Sequence, residues 1–202
     1  MSTTSVSRMA KDDISGRVRL RELKLLSDNY YTLRNASFDF QRRDGTWQHQ
    51  TRESYDIGDA AMVLPMDRAK DRVLLIRQFR WPPFESGYSQ LLIEVIAGKL
   101  DGEAPDICIT REAMEEGGIA ITNLRLVTRC FVSPGAVKEQ LSCFLADYDS
   151  TAPRQTGGGQ VAEGEDIEVL EPSLDEALAM VARGEIIDMK TIMLLQWAKL
   201  ER

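Results

Sequence analysis

At 202 residues, 43% of them hydrophobic, the chain suits one domain of ordinary size, or one with a small appendage, around a sizeable core. Its net charge of −7 argues against nucleic acid as a partner, because that affinity comes from neutralising phosphates. No apolar run approaches the roughly 20 residues that span a bilayer, the N-terminus has no signal-peptide h-region, and three cysteines without a CxxC pair point to reduced thiols in a cytoplasm and away from a zinc site.

Residues 1–16 are polar and rich in Ser and Thr, and read as a disordered leader. Strand-like alternation follows over Arg17–Leu26, Tyr31–Arg42 and Thr46–Tyr55. Arg43-Asp44-Gly45 is the hairpin turn between the last two, with glycine supplying the positive φ. Residues 17–57 are therefore expected to form an N-terminal β region. Its second strand carries Ala36, Phe38 and Phe40 on one face, and a sheet this small is marginal unless another surface covers it. His49, the only histidine, lies in the half-exposed run Trp47-Gln48-His49-Gln50-Thr51 and reads as structural. That removes histidine-based metal sites and leaves a Ser-His-Asp triad a poor fit.

Residues 58–202 are expected to form the main domain. Strands are read at Ala60–Pro65, Arg72–Gln78 and Leu91–Ile96, then a helix that begins at Pro105 and stops at Gly117-Gly118. Further strands are read at Leu124–Cys130, Gln140–Asp147 and Ile167–Leu170. Ser173 starts another helix, with Glu176 placed for a capping box, and an amphipathic helix runs from about Met189 to Lys199. Strands early and helices between and after the later strands predict an α+β sandwich. Gln155-Thr156-Gly157-Gly158-Gly159-Gln160 reads as a flexible loop and does not match a dinucleotide-binding fingerprint.

The most informative stretch is Ala97-Gly98-Lys99-Leu100-Asp101-Gly102-Glu103, running on to Arg111-Glu112-Ala113-Met114-Glu115-Glu116-Gly117-Gly118. At about 100° per residue, Glu112, Glu115 and Glu116 share an arc of roughly 100° on one helix face. Like charges at this spacing cost a few tenths of a kcal/mol each. Such a face is either simply solvated or holds a divalent cation through hard oxygen ligands. The glycine loop immediately upstream favours the cation. Arg80, just past an apolar strand and beside Trp81-Pro82-Pro83, is either a plain surface arginine or one that meets phosphate oxygens as a planar fork.

The segment Gly98 to Ile119 resembles the signature of the Nudix hydrolases, which cleave nucleoside diphosphates linked to another moiety. Two departures stand out. The spacer before Arg111-Glu112 is one residue short, and the first expected Glu of the pattern falls on Ala104, with Glu103 placed to take over its pairing with Arg111. Ser27-Asp28-Asn29-Tyr30, Leu75-Ile76-Arg77-Gln78-Phe79-Arg80, Ser133-Pro134-Gly135, Gly164-Glu165-Asp166-Ile167-Glu168-Val169 and Lys190-Thr191 are similar to the bacterial GDP-mannose hydrolase subfamily, a sibling of the ADP-ribose pyrophosphatases. Ile96 before Ala-Gly, and the short box with Ile107-Cys108-Ile109, favour the GDP-mannose branch.

The resemblance implies a Nudix α/β/α sandwich and a Mg²⁺-dependent hydrolase, with Mn²⁺ as a substitute. It implies that Glu112 and Glu116 hold the metal together with the Ala97 carbonyl, that Glu115 helps through water, and that Glu165 reaches the metal when its loop closes. Glu163 is then the choice for the base that activates water. Tyr30, Arg52, Glu53, Arg80, Ala97, Gly98, Lys99, Glu116, Glu139, Gly164, Glu165 and Lys190 fall at substrate-contacting positions, with Thr51 standing where the subfamily tends to carry Lys. In that subfamily residues equivalent to 17–57 exchange across a two-fold dimer, so Tyr30 and Arg52 would act on the partner's substrate. The expected reaction takes GDP-mannose to GMP and mannose 1-phosphate. The alternatives are an ADP-ribose pyrophosphatase giving AMP and ribose 5-phosphate, and a non-catalytic nucleotide-sugar sensor.

Overall fold

A computed structural model of the chain describes residues 13–160, 162 and 164–201. Of the leader expected over 1–16, residues 1–12 lie outside the described residues, and Ser15–Arg17 form a single 3₁₀ turn ahead of the first strand. The chain divides into two units, one made of the residues up to Ile57 with Gly135–Val137, the other of Gly58–Pro134 with Lys138–Arg202.

The first unit is an antiparallel meander of β1 (Val18–Asp28), β2 (Thr32–Gln41) and β3 (Trp47–Asp56). The turn at Arg43-Asp44-Gly45 forms as its sequence demands: Arg42 N–H donates to the Thr46 carbonyl at 2.8 Å, and Gly45 has φ 85°. Residues 135–137 join this sheet, with Tyr55 N–H donating to the Ala136 carbonyl at 2.8 Å. Leu20, Leu23 and Leu25 of β1 remain exposed within the chain. His49 lies on β3, hydrogen-bonding Asp39 and Ser37 across the strand pair.

The second unit contains β4 (Ala60–Asp67), β5 (Arg72–Val73), β6 (Leu75–Gln78), α1 (Trp81–Glu85), β7 (Leu92–Glu94), β8 (Ile96–Lys99), α2 (Pro105–Glu115) and β9 (Thr122–Phe131). After β10 (Val137–Lys138), whose first residue belongs with the other unit, come β11 (Gln140–Asp147), β12 (Glu168–Leu170), α3 (Leu174–Ala182) and α4 (Met189–Leu200). One sheet has the order β5-β4-β11-β9 with β8 also on β4, and a second has the order β12-β6-β7. Strand β4 is buried along its whole length. Because side chains alternate across a strand, its Met62, Leu64 and Met66 enter an apolar layer with Leu174, Leu194 and Leu195 of α3 and α4. Ala61 and Val63 enter another with Ile109 and Ala113 of α2. The sheets are thus sandwiched between α2 and the α3–α4 pair, the α/β/α arrangement expected.

Two runs expected as single strands are divided. The run Arg72–Gln78 breaks at Leu74 and the run Leu91–Ile96 at Val95, because β5 and β8 pair with β4 whereas β6 and β7 pair with each other. A continuous apolar run is buried on both sides of such a crossing, so it carries no mark of the corner. The short helix α1 follows Arg80 and uses Pro82-Pro83 in its first turn. Ser173 caps α3 by accepting from Glu176 N–H at 3.1 Å, while the Glu176 side chain turns to Arg183. Among the described residues no helix is long and apolar enough to cross a membrane.

Candidate active site

Helix α2 starts at Pro105 and lays Cys108, Ile109 and Ala113 into the core. That leaves its acidic arc along β8, and the approach is close. A Cβ on Gly98 would lie 2.2 Å from Glu112 Oε1, so only glycine leaves room for this carboxylate. Glu116, just past the helix, is 1% exposed and its Oε2 accepts from Ala97 N–H at 3.2 Å. In an extended strand the N–H and C=O of one residue point to the same side, so the Ala97 carbonyl is presented toward Glu116 as well.

Arg111 is the local counter-ion. Its Nη2 lies 3.1 Å from Glu103, as the sequence suggested for the box with Ala104, and 3.0 Å from Glu112, while Nη1 donates to Glu115 at 2.6 Å. Burial nevertheless pushes Glu112 up to about 7, with Arg111 opposing the rise and Glu115 adding to it. Burial, then the Glu112 charge, raises Glu116 well above the usual carboxylate range. Glu165 contributes to both shifts and so belongs to the same cluster.

Glu165 is held by its own loop, its Oε2 accepting from Gln160 N–H at 2.8 Å. The glycine run before it is not a free loop. Gly158 N–H and Gly159 N–H donate to the Glu116 and Glu115 carbonyls at 3.0 and 3.1 Å, which closes the end of α2. A Cβ on Gly159 would lie 2.6 Å from Glu165 Oε2. Glycine serves close approach here, and close approach and flexibility leave the same mark on a sequence. Glu163 lies outside the described residues, and Gly164 is exposed with φ 77°.

Arg80 is the cation facing these carboxylates. Burial works against its charge, and Glu94, Glu116 and Glu165 more than compensate, raising its pKa. Its Nε donates to Glu94 Oε2 at 2.8 Å. Lys190, at the start of α4, donates to Asp188 at 2.6 Å and lies 3.5 Å from Glu94 Oε1. Glu139 is half-buried; burial raises its pKa and Lys190 and Lys99 lower it, which places it on their side of the cluster. The second unit therefore brings together Arg80, Ala97, Gly98, Glu112, Glu116 and Glu165, with Lys99, Glu139 and Lys190 alongside.

Tyr30, Arg52 and Glu53 belong to the first unit. Tyr30 is 83% exposed and edge-on to Tyr31, Arg52 Nη1 donates to the Thr51 carbonyl at 2.8 Å, and Glu53 is exposed on β3. Two residues of the site escaped the sequence reading. Glu94 sits inside an apolar strand, an acid in the run Leu92-Ile93-Glu94-Val95-Ile96 that should have drawn notice. Asp188 both caps α4 and holds Lys190.

The donor set suits a hard divalent cation: two carboxylates one turn apart, both largely buried, a third close by and a backbone carbonyl, all oxygen. Among the described residues no three acidic, His or Cys side chains already converge as a cage. Glu112 turns to Arg111, Glu116 to Ala97 N–H and Glu165 to Gln160 N–H. A buried carboxylate pair whose proton affinities are raised this far nonetheless fits a cation, which would take the place of those protons, better than it fits a solvated face.

A family model described as the NUDIX domain matches residues 56–192, and one described as the GDP-mannose pyrophosphatase NudK N-terminal domain matches residues 17–55. The chain is 46% identical over 186 residues to a protein of Pectobacterium atrosepticum called GDP-mannose pyrophosphatase, covering 92% of this chain and 95% of that one. A protein of the same name from Citrobacter koseri is 43% identical over 185 residues, covering 91% and 96%. A crystal structure described as an ADP compounds hydrolase superposes with a TM-score of 0.68 at 16% identity, covering 92% of this chain and 96% of that one, a likeness of fold.

Proposed function

We propose, from the premise that this chain belongs to the Nudix hydrolase family, that it hydrolyses the pyrophosphate bond of a nucleoside diphosphate sugar, taking GDP-mannose to GMP and mannose 1-phosphate. The observation that carries the chemistry is the buried pair Glu112 and Glu116 facing Arg80. The choice of sugar nucleotide rests on relatives at 40–46% identity that bear the name GDP-mannose pyrophosphatase.

Nudix hydrolases generally use divalent metal ions, and here we take Mg²⁺, with Mn²⁺ as substitute, held by Glu112, Glu116, the Ala97 carbonyl and Glu165. When bound, such a cation neutralises the bridging phosphates and makes water a better nucleophile. Arg80 and Lys190 supply donors to phosphate oxygens, Gly98 and Lys99 line the edge of β8, and Glu139 and Gly164 contribute further contacts. Glu163 takes the proton of the attacking water, whose oxygen bonds to one phosphorus as the bridging P–O bond breaks and the other phosphate monoester leaves with the electron pair as its anion. The N-terminal β region, residues 17–57, pairs with that of a second copy and brings Tyr30, Arg52 and Glu53 to the substrate, leaving residues 58–202 as the hydrolase domain. Three cysteines without a CxxC pair support a cytoplasmic setting with reduced thiols.

The reading is tested by incubating the protein with GDP-mannose in Mg²⁺ and in excess EDTA, and identifying products by anion-exchange chromatography. Equimolar GMP and mannose 1-phosphate, formed only with Mg²⁺, are expected. GDP plus free mannose would place the cleavage at the glycosidic bond and overturn it.

A further inference from the structure

Glu94 has no part in the metal chemistry above, yet it is the buried acid between the two cations assigned to phosphate. It sits where β6 and β7 pair, opposite Ile76. Ile76 and Ile96 belong to the apolar layer against α2, whereas Ile93 and Val95 belong to the layer against α3 and α4. Alternation therefore sends Glu94 to the α2 side, the side of Glu112 and Glu116. Its side chain is 4% exposed. One oxygen accepts from Arg80 Nε at 2.8 Å and the other lies 3.5 Å from Lys190 Nζ.

The cations are fixed from the other side too. Lys190 donates to Asp188 Oδ1, and Asp188 Oδ2 accepts from both the N–H and the hydroxyl of Thr191, at 2.9 and 2.7 Å. The Thr191 hydroxyl in turn accepts from Val95 N–H at 2.8 Å, which ties the start of α4 to the residue after Glu94. Arg80 is less constrained. Its side chain is 42% exposed, and among the described residues Glu94 is the one hydrogen-bond partner of that side chain. That bond uses Nε, so the Nη atoms stay available to a ligand. An arginine fork meets phosphate through paired, directional hydrogen bonds, so a carboxylate on Nε that fixes the guanidinium plane favours that contact.

We infer that Glu94 is a positioning residue that orients the Arg80 fork, and steadies Lys190 beside it, toward the phosphate groups of the substrate. The inference rests on the reading of Arg80 as a phosphate contact. Glu94 acts mainly through Arg80 and touches no reacting atom, so most of its effect is lost when Arg80 is absent, leaving only the share carried by its longer, 3.5 Å contact with Lys190.

A double-mutant cycle tests this on the full-length protein, with kcat and KM measured for the nucleotide sugar it turns over best. Arg80→Ala is expected to lower kcat/KM by at least tenfold, and Glu94→Gln by about 10- to 100-fold, the range expected of a misplaced contact. In the Arg80→Ala background, Glu94→Gln should cost less than threefold. A merely structural Glu94 would cost the same factor in both backgrounds, and that result would overturn the inference while leaving Arg80 in place. An Arg80→Ala protein with unchanged kcat/KM would instead show that Arg80 does not meet phosphate, and both readings would fall. Should Glu94→Gln not fold, Glu94→Asp retains the charge one methylene short of Arg80. The same loss, again abolished by Arg80→Ala, supports the inference, and full activity or an equal loss in both backgrounds overturns it.

Discussion

Replacing Glu116 with Gln should strengthen the metal-free protein while removing its response to metal. The wild-type carboxylate is 1% exposed, accepts one hydrogen bond among the described residues, from Ala97 N–H at 3.2 Å, and shares its surroundings with Glu112 and Glu165. Gln keeps the volume and an acceptor for Ala97 N–H but carries no charge. Removing a desolvated charge is worth several kcal/mol, and leaving an amide NH₂ without a partner costs about 1–3 kcal/mol of that gain. A net gain of roughly 1–3 kcal/mol, at about 2–4 °C per kcal/mol for a chain of this size, raises the melting temperature by roughly 2–12 °C. The assay is thermal unfolding at pH 8 in EDTA and in excess Mg²⁺, with turnover measured on the same samples. Wild type should melt higher with Mg²⁺ than in EDTA, because a cation that binds only the folded state stabilises it. The Glu116→Gln variant should melt higher than wild type in EDTA, show little response to Mg²⁺, and lose orders of magnitude in turnover. A variant that melts lower in EDTA and keeps its metal response would refute the view of Glu116 as a buried charge awaiting a cation.

The metal-free protein should also lose stability as pH rises. Glu112 is held near 7 in the folded state against about 4.5 for an ordinary glutamate, so the folded state keeps this proton longer. The contribution is complete below about 4.5 and gone above about 7, a difference on the order of 3 kcal/mol, which urea unfolding in EDTA between pH 5 and 8 should register and excess Mg²⁺ should suppress. Gly98→Ala places a Cβ where Glu112 now lies, so it should fold with little change in far-UV circular dichroism yet weaken Mg²⁺ half-saturation of activity by at least tenfold; an unchanged value would remove Glu112 from the metal site. If sites are shared across a dimer, Arg52→Ala and Glu112→Gln proteins, each nearly inactive alone, should regain activity when mixed and allowed to exchange subunits. No recovery after confirmed exchange would place Arg52 outside the partner's site.

What could be read from the residues follows from how each signal arises. The helix over 105–115 and its acidic arc were legible because a 3.6-residue period, a proline start and a Gly-Gly stop all agree, and Glu112 and Glu116 lie as that period requires. The meander of residues 18–56 was legible for a similar reason, with alternation and one Asp-Gly turn specifying it. The corners at Leu74 and Val95 were hidden because the residues on either side of each, Val73 and Leu75, and Glu94 and Ile96, are all buried, so burial gives no sign of whether the run stays in one sheet or crosses to another. The docking of Gly158 and Gly159 onto the end of α2 was hidden because close packing and free movement select the same residue. Glu94 was overlooked for a different reason: an isolated acid in an apolar strand acquires meaning only when its partners, Arg80 and Lys190, arrive from 14 and 96 residues away.

The most direct test of the account is kcat/KM for GDP-mannose and ADP-ribose, measured side by side with Mg²⁺ on one preparation. Turnover of both should be metal-dependent, with GDP-mannose clearly preferred. A clear preference for ADP-ribose would contradict the assignment of substrate while leaving the hydrolase fold untouched, and turnover of neither would contradict the assignment of the site.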